Sequence, residues 1–232
     1  MSKYSVFKKR RLLLAKYMEP NSTAIISSSP IQIRNNDSAY RYRQCSNFYY
    51  LTGFEKPDSV LLIYKDRSNS VAHFFSKQPN KHDSVWSGEL LTSRKIQNIY
   101  GFDKCEYAEN LELKLYSYLK KSKSIYHSLS KQSDLLTLVD GCLQKIENNY
   151  RKGAELPSNH YSINKIVHKL RLIKSNEEIA IIKKACKISA DAHINLMSKC
   201  KPNVSEKKIE SQLLYDFGSN NATEAYTSIV AG

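Results

Sequence analysis

The residue types that could do chemistry are present, but not at spacings that would do it. Six histidines occur, and none has a partner four residues on, so no helical face offers two imidazoles to a metal. There is no His-Glu-x-x-His, no Gly-x-Ser-x-Gly elbow and no glycine-rich phosphate loop. The cysteines Cys45, Cys105, Cys142, Cys186 and Cys200 are odd in number and scattered. With no Cys-x-x-Cys they support neither a zinc ribbon nor a dithiol redox pair, and they read as buried thiols of a reducing, cytoplasmic compartment. Glu177 and Glu178 are neighbouring carboxylates, but they follow Ser175 at a helix start, where the dipole favours negative charge. On residue types alone, no residue is nominated as catalytic and none as a metal ligand.

The elements that would have to position a site are easier to read. Residues 3–18 form an amphipathic pattern, with Phe7, Leu14 and Met18 on one face, ended by Pro20 and Asn21. Apolar runs at Ala24–Ser27, Phe48–Thr52, Val60–Tyr64 and Val71–Phe75, with turn chemistry at Gly53 and Pro57-Asp58, predict strands. Helices are expected near Ser93–Tyr100, Asn110–Lys121 and Ser133–Glu147, with a strand at Ser124–His127. This alternation predicts an α/β domain over 1–150, and Gly153 and Pro157 mark a linker over 151–160. Residues 161–232 then turn helical. Ser175 and Glu178 make a capping box ahead of Ile179, Ile182, Cys186, Ala190 and Met197 at helical spacing. A further helix from Ser205 ends at Gly218, and Glu224–Val230 reads as a strand.

A net charge of +14 invites a nucleic-acid partner. The cations are spread from Lys8–Arg11 through Lys120–Lys123 to Lys207-Lys208, however, which gives only salt-sensitive attraction, so no specific nucleic-acid binding is expected. No apolar run is long enough to span a membrane. The basic N-terminus holds only a four-residue apolar stretch, Leu12 to Ala15, too short for a secretory signal. An organellar transit peptide is the less favoured alternative to a structural first helix.

Longer strings carry a resemblance. Arg34-Asn35-Asn36-Asp37-Ser38, then Tyr40, Tyr42-Arg43-Gln44 and Ser46 to Phe54 ahead of Pro57, resemble the signature of the aminopeptidase P (Xaa-Pro aminopeptidase) N-terminal domain. Phe7, Arg10, Arg11, Leu14 and Met18 look like its first helix, and Trp86-x-Gly88 like its tryptophan loop. Val167-His168, Leu170-Arg171, Lys174-Ser175 and Glu178-Ile179 resemble the opening of its catalytic domain. Tyr226, Ile229-Val230 and Gly232 resemble the strand leading to its active site.

The resemblance implies an N-terminal mixed β-sheet flanked by helices, of the creatinase/aminopeptidase P type, followed by the helical opening of a pita-bread α+β domain. It implies a hydrolase that removes an N-terminal residue preceding proline, using two divalent ions, usually manganese, to generate and aim a hydroxide. The family's ligands, two Asp, one His and two Glu, all follow the terminal strand, so none maps onto this chain. Asp216 and Glu224 match no ligand motif. The expectation is therefore a chain that ends before its metal site, binds no manganese tightly and is inactive alone. It would be a fragment of a truncated or split enzyme or, alternatively, a non-catalytic module that oligomerises with a full-length relative or a separate C-terminal polypeptide. Trp86 and Asp37 are the candidate residues, implied to lie near a neighbouring subunit's substrate pocket in a homo-oligomer, with a core aromatic as the competing reading of Trp86. Tyr42, Arg43 and Gln44 are expected to fix their loop by hydrogen bonding.

Overall fold

The computed structural model describes residues 4–80, 91–128 and 133–231. They fall into two compact units, residues 1–172 and 173–232.

The first unit is built on a six-stranded mixed sheet in the order β6-β5-β4-β1-β7-β8. Its strands are β1 (Ser22–Ser27), β4 (Ser59–Lys65), β5 (Ser70–Ser76), β6 (Lys104–Tyr107), β7 (Ser124–His127) and β8 (Asn159–Ser162). β1 pairs antiparallel to β4 and parallel to β7, and β4 pairs antiparallel to β5. The outer strands β6 and β8 run parallel to their neighbours. A separate hairpin joins β2 (Ile33–Asn35) to β3 (Ser38–Ala39).

The period-two alternation of side chains makes two apolar layers. Ala24, Ile26, Leu61, Ile63, Ala72, Phe74 and Tyr126 point to one face, joined there by residues of α1 (Ser5–Tyr17), α2 (Ser46–Thr52), α3 (Ser93–Tyr100) and α6 (Ile163–Leu172). Ile25, Leu62, Phe75 and Ile125 point to the other, under α4 (Leu111–Leu119) and α5 (Ser133–Glu147). A sheet covered on both faces accounts for the continuous apolar runs in its central strands.

Phe48–Thr52, expected as a strand, is the helix α2. Its aromatic composition favours a strand, but Phe48, Leu51 and Thr52 are fully buried at helical spacing. Gly53 then closes the helix in the left-handed region, φ 67°, with its N–H on Tyr49 O. Tertiary burial here overrides β propensity. Glu224–Val230, also expected as a strand, has no ladder partner among the described residues, and Tyr226 and Ile229 are exposed. The first unit also extends past the expected 151–160 linker. β8 completes the sheet beside β7, and Ile163 and Val167 of α6 enter the main core.

In the second unit, Ser175 and Glu178 form the expected capping box at the start of α7 (Asn176–Lys199). α8 (Glu206–Ser219) packs on α7, and Asp216 is held by Asn195 Nδ2 and Gln212 Nε2 at 2.7 and 2.9 Å. Ile181, Ile194 and Met197 of this unit are exposed.

Candidate functional site

The chain leaves the sheet after β1 and does not return until β4. One buried amide ties segments of this excursion together. Gln44 Oε1 accepts from the backbone N–H groups of Ser29 and Cys45 at 2.9 and 2.8 Å. Its Nε2 donates to the carbonyls of Phe54 and Lys56 at 3.2 and 3.1 Å. All four hydrogen-bonding positions of the amide are thus filled, the condition under which a buried polar group stabilises rather than penalises a fold. Tyr42 donates to Ser29 O at 3.1 Å, and burial pushes its phenol up to about 12. Arg43 donates to Gln44 O and Ser46 Oγ at 2.8 and 3.3 Å. The three residues read from the sequence as a loop clamp are therefore one.

What the clamp holds is a projecting arm. Residues 30–41 are all exposed, including Ile31, Ile33 and Tyr40. The arm is closed by the β2–β3 pairing and by Tyr40 N–H on Gln32 O at 2.9 Å. At its tip Asn36 takes a positive φ of 47°, which asparagine tolerates better than most residues. Asp37 follows, its carboxylate exposed and without a hydrogen bond or ion pair among the described residues. Trp86 lies outside the described residues, so the structure does not relate the two candidates to each other.

Two further polar clusters had no signal in the sequence, because their members are far apart in the chain. Asn47 Oδ1 accepts from Arg171 Nη1 at 2.6 Å, while Asn47 Nδ2 donates to Asn164 Oδ1 at 2.9 Å. On the opposite face, buried His73 meets Tyr118 through Nδ1 at 3.2 Å, and its Nε2 lies 3.1 Å from Glu106, which also pairs with Lys114. Burial lowers His73 to about 4, against the opposing pull of Glu106.

Among the described residues no group of three or more His, Cys, Asp or Glu side chains converges to hold a metal ion, and no helix is long and apolar enough to cross a membrane. The arrangement presents an arm on a rigid base.

Comparison with known proteins agrees with this geometry. Residues 7–126 match the family model described as Aminopeptidase P, N-terminal domain. The chain is 31% identical over 226 residues to the Xaa-Pro aminopeptidase of Escherichia coli K12, covering 97% of this chain and 51% of that protein. It is 24% identical over 224 residues to the mitochondrial intermediate cleaving peptidase 55 of Arabidopsis thaliana, covering 96% of this chain and 43% of that protein. Among solved structures, zinc-substituted E. coli aminopeptidase P in complex with product superimposes with a TM-score of 0.90 at 30% identity, covering 94% of this chain and 50% of that one. Proline aminopeptidase P II from Yersinia pestis superimposes at 0.88 and 31% identity, with the same coverage. The chain spans about half the length of these curated relatives.

Proposed function

Because this chain belongs to the aminopeptidase P N-terminal domain family, we propose that it is the N-terminal part of a manganese-dependent Xaa-Pro aminopeptidase. The intact enzyme would hydrolyse the bond between an N-terminal residue and a following proline. The observation that carries this reading is the match over nearly the whole chain to the Xaa-Pro aminopeptidase of E. coli, at half that protein's length.

Two divalent ions would supply an activated hydroxide and polarise the scissile carbonyl in such an enzyme. The residues here do not fit them. Such ions need several carboxylates and an imidazole converging on one point, and no such group exists among the described residues. Asp216, a carboxylate of the second unit, already accepts from two side-chain amides. No step of hydrolysis is therefore derived from this chain, and the 232-residue polypeptide alone is read as inactive.

Its own part is structural. Residues 173–232 are read as the opening of the pita-bread domain, whose remaining body would cover the exposed side chains of α7. The clamped arm would carry Asp37 toward a neighbouring subunit in a homo-oligomer, and Trp86 would contribute to the same interface. The exposure of residues 30–41 also favours a second reading, a non-catalytic oligomerisation module. A cytoplasmic location completes the proposal.

An Xaa-Pro release assay with added manganese, run beside calorimetric titration of the metal, tests the enzymatic reading. The expected result is no turnover and no tight binding for the chain alone. Joining it to a C-terminal half carrying two Asp, one His and two Glu should give activity, which Trp86→Ala and Asp37→Ala lower. Chelator-sensitive turnover by the 232-residue chain would overturn the assignment of its role. An inactive joined protein that still oligomerises would favour the second reading.

A further inference from the structure

Helix α1 has two apolar faces. Phe7, Leu14, Ala15 and Met18 are buried, as the periodicity requires, yet Leu12 and Leu13 are 47% and 43% exposed. They do not face featureless solvent. Together with the turn of the β4–β5 hairpin they line an open cavity of about 690 Å³. The cavity is bordered by Lys9, Lys16, Lys65 and Arg67, with no acidic residue in its lining among the described residues. Lys65 ties the hairpin to the helix end by donating to Met18 O at 2.5 Å. Lys9, Lys16 and Arg67 are exposed and make no hydrogen bond or ion pair among the described residues. Asp66, the acid in the adjoining turn, is engaged by the N–H groups of Ser68 and Asn69 at 2.8 and 2.6 Å.

We propose that this groove docks an acidic peptide segment of a partner protein. The partner's apolar side chains would rest on Leu12 and Leu13, and its carboxylates would meet Lys9, Lys16 and Arg67. Charge complementarity picks the occupant. Unpaired cations above an apolar floor match a segment in which acidic residues flank hydrophobic ones, and fixing the order of charge is how such surfaces select partners. The concave form argues against a lipid surface, which a membrane-binding helix meets with its apolar face outermost. This surface is independent of the metallopeptidase reading and stands or falls apart from it.

The test is fluorescence anisotropy of the full 232-residue chain with a labelled peptide of leucines flanked by glutamates, against glutamine and lysine versions of the same peptide. The glutamate peptide should bind, and the lysine peptide should not. Lys9→Glu combined with Arg67→Glu should weaken binding about tenfold or more, as loss of two facing charges implies. Leu12→Ser combined with Leu13→Ser leaves charge unaltered and should weaken it about threefold or more, as lost apolar contact implies. All four side chains are exposed, so circular dichroism should report an unchanged fold. No binding of the glutamate peptide overturns the proposal. So does a loss on charge reversal without a loss on leucine removal, which would show only diffuse attraction. Binding to phosphatidylserine vesicles with the same residue dependence, in place of the peptide, would make the groove a membrane contact instead.

Discussion

Arg11 and Gly101 are joined by a 2.6 Å hydrogen bond from Nη2 to the glycine carbonyl, across 90 residues of chain. The same guanidinium donates to Tyr100 O and Leu51 O, both at 2.9 Å, and lies over the Phe102 ring at 4.4 Å. One buried cation thus ties together the C-terminal turns of two helices, α2 and α3, by satisfying carbonyls that have no partner within the helix. Burial lowers its pKa to about 10, with Asp103 opposing the shift, so it stays charged at neutral pH.

Arg11→Met should lower unfolding free energy by about 3 kcal/mol, since three carbonyls lose a charge-assisted donor together. Arg11→Lys should recover less than half of that, because one ammonium cannot fork to three acceptors or stack on Phe102. Urea denaturation of both variants measures it. A lysine variant as stable as the parent would show that the charge, and not the fork, matters.

Gly53 and Gly153 separate backbone strain from crowding. Both have positive φ, 67° and 77°. A Cβ on Gly53 would stand 2.4 Å from Phe7 Cε2, whereas one on Gly153 would meet nothing within 4 Å. Gly153→Ala should cost about 1 kcal/mol from the left-handed backbone alone. Gly53→Ala should cost about 2–4 kcal/mol, because the Phe7 ring must also move within the packed layer. Equal thermal shifts for the two would mean that the ring yields freely.

Where the chain is cut should decide whether it folds. A fragment of residues 1–172 keeps β8, Ile163 and Val167, the Tyr50 hydroxyl on Leu170 O and the Arg171 contact to Asn47. It should unfold cooperatively, and should be more soluble than the full chain because it lacks exposed Ile181, Ile194 and Met197. A fragment ending at residue 154 opens the β7 edge and uncovers the core, and should aggregate. Limited proteolysis of the whole chain should accordingly stop near residue 172. A stable product ending near 150 would show that the core closes without β8 and α6.

These cases show which parts of the fold were legible. Ser175 and Glu178 announced their helix because a capping box is a local device, complete within four residues. Val60–Tyr64 and Val71–Phe75 announced strands because both of their faces are buried. Phe48–Thr52 misled because aromatic composition is local while its burial is supplied by Leu14, Phe74 and other distant residues. Asn159–Ser162 gave no signal, being a polar, mostly exposed edge strand whose register is set by β7. Gln44 was legible as part of a motif, but its four partners were not, since they belong to segments that only the fold brings together.

His73 should give stability a pH dependence in a range where few other groups titrate. Its side chain is 1% exposed, tilted against Phe75 with ring centroids 4.2 Å apart, and reaches Tyr118 and Glu106. Removal from water disfavours the imidazolium most. Lys104 and Lys114 add to this, Glu106 opposes it, and the folded pKa falls from 6.5 to about 4. The unfolded chain therefore binds a proton, as pH falls below 6.5, that the native state refuses. Stability is then fully present above that value and is lost as pH falls from 6.5 toward 4, the sign required when the unfolded state holds more protons. The full shift corresponds to about 3 kcal/mol, of which somewhat more than half should be gone by pH 5. His127, also lowered by burial and by His160, contributes with the same sign. The measurement is urea unfolding of the parent and of His73→Gln at closely spaced pH values between 7 and 5, above the range where carboxylates begin to protonate. The glutamine variant should be less stable at neutral pH yet show a flatter profile, because it keeps a polar group facing Tyr118 without a titrating proton. Parallel profiles would mean that His73 protonates in the folded protein as readily as in the unfolded chain, and that Glu106 offsets burial.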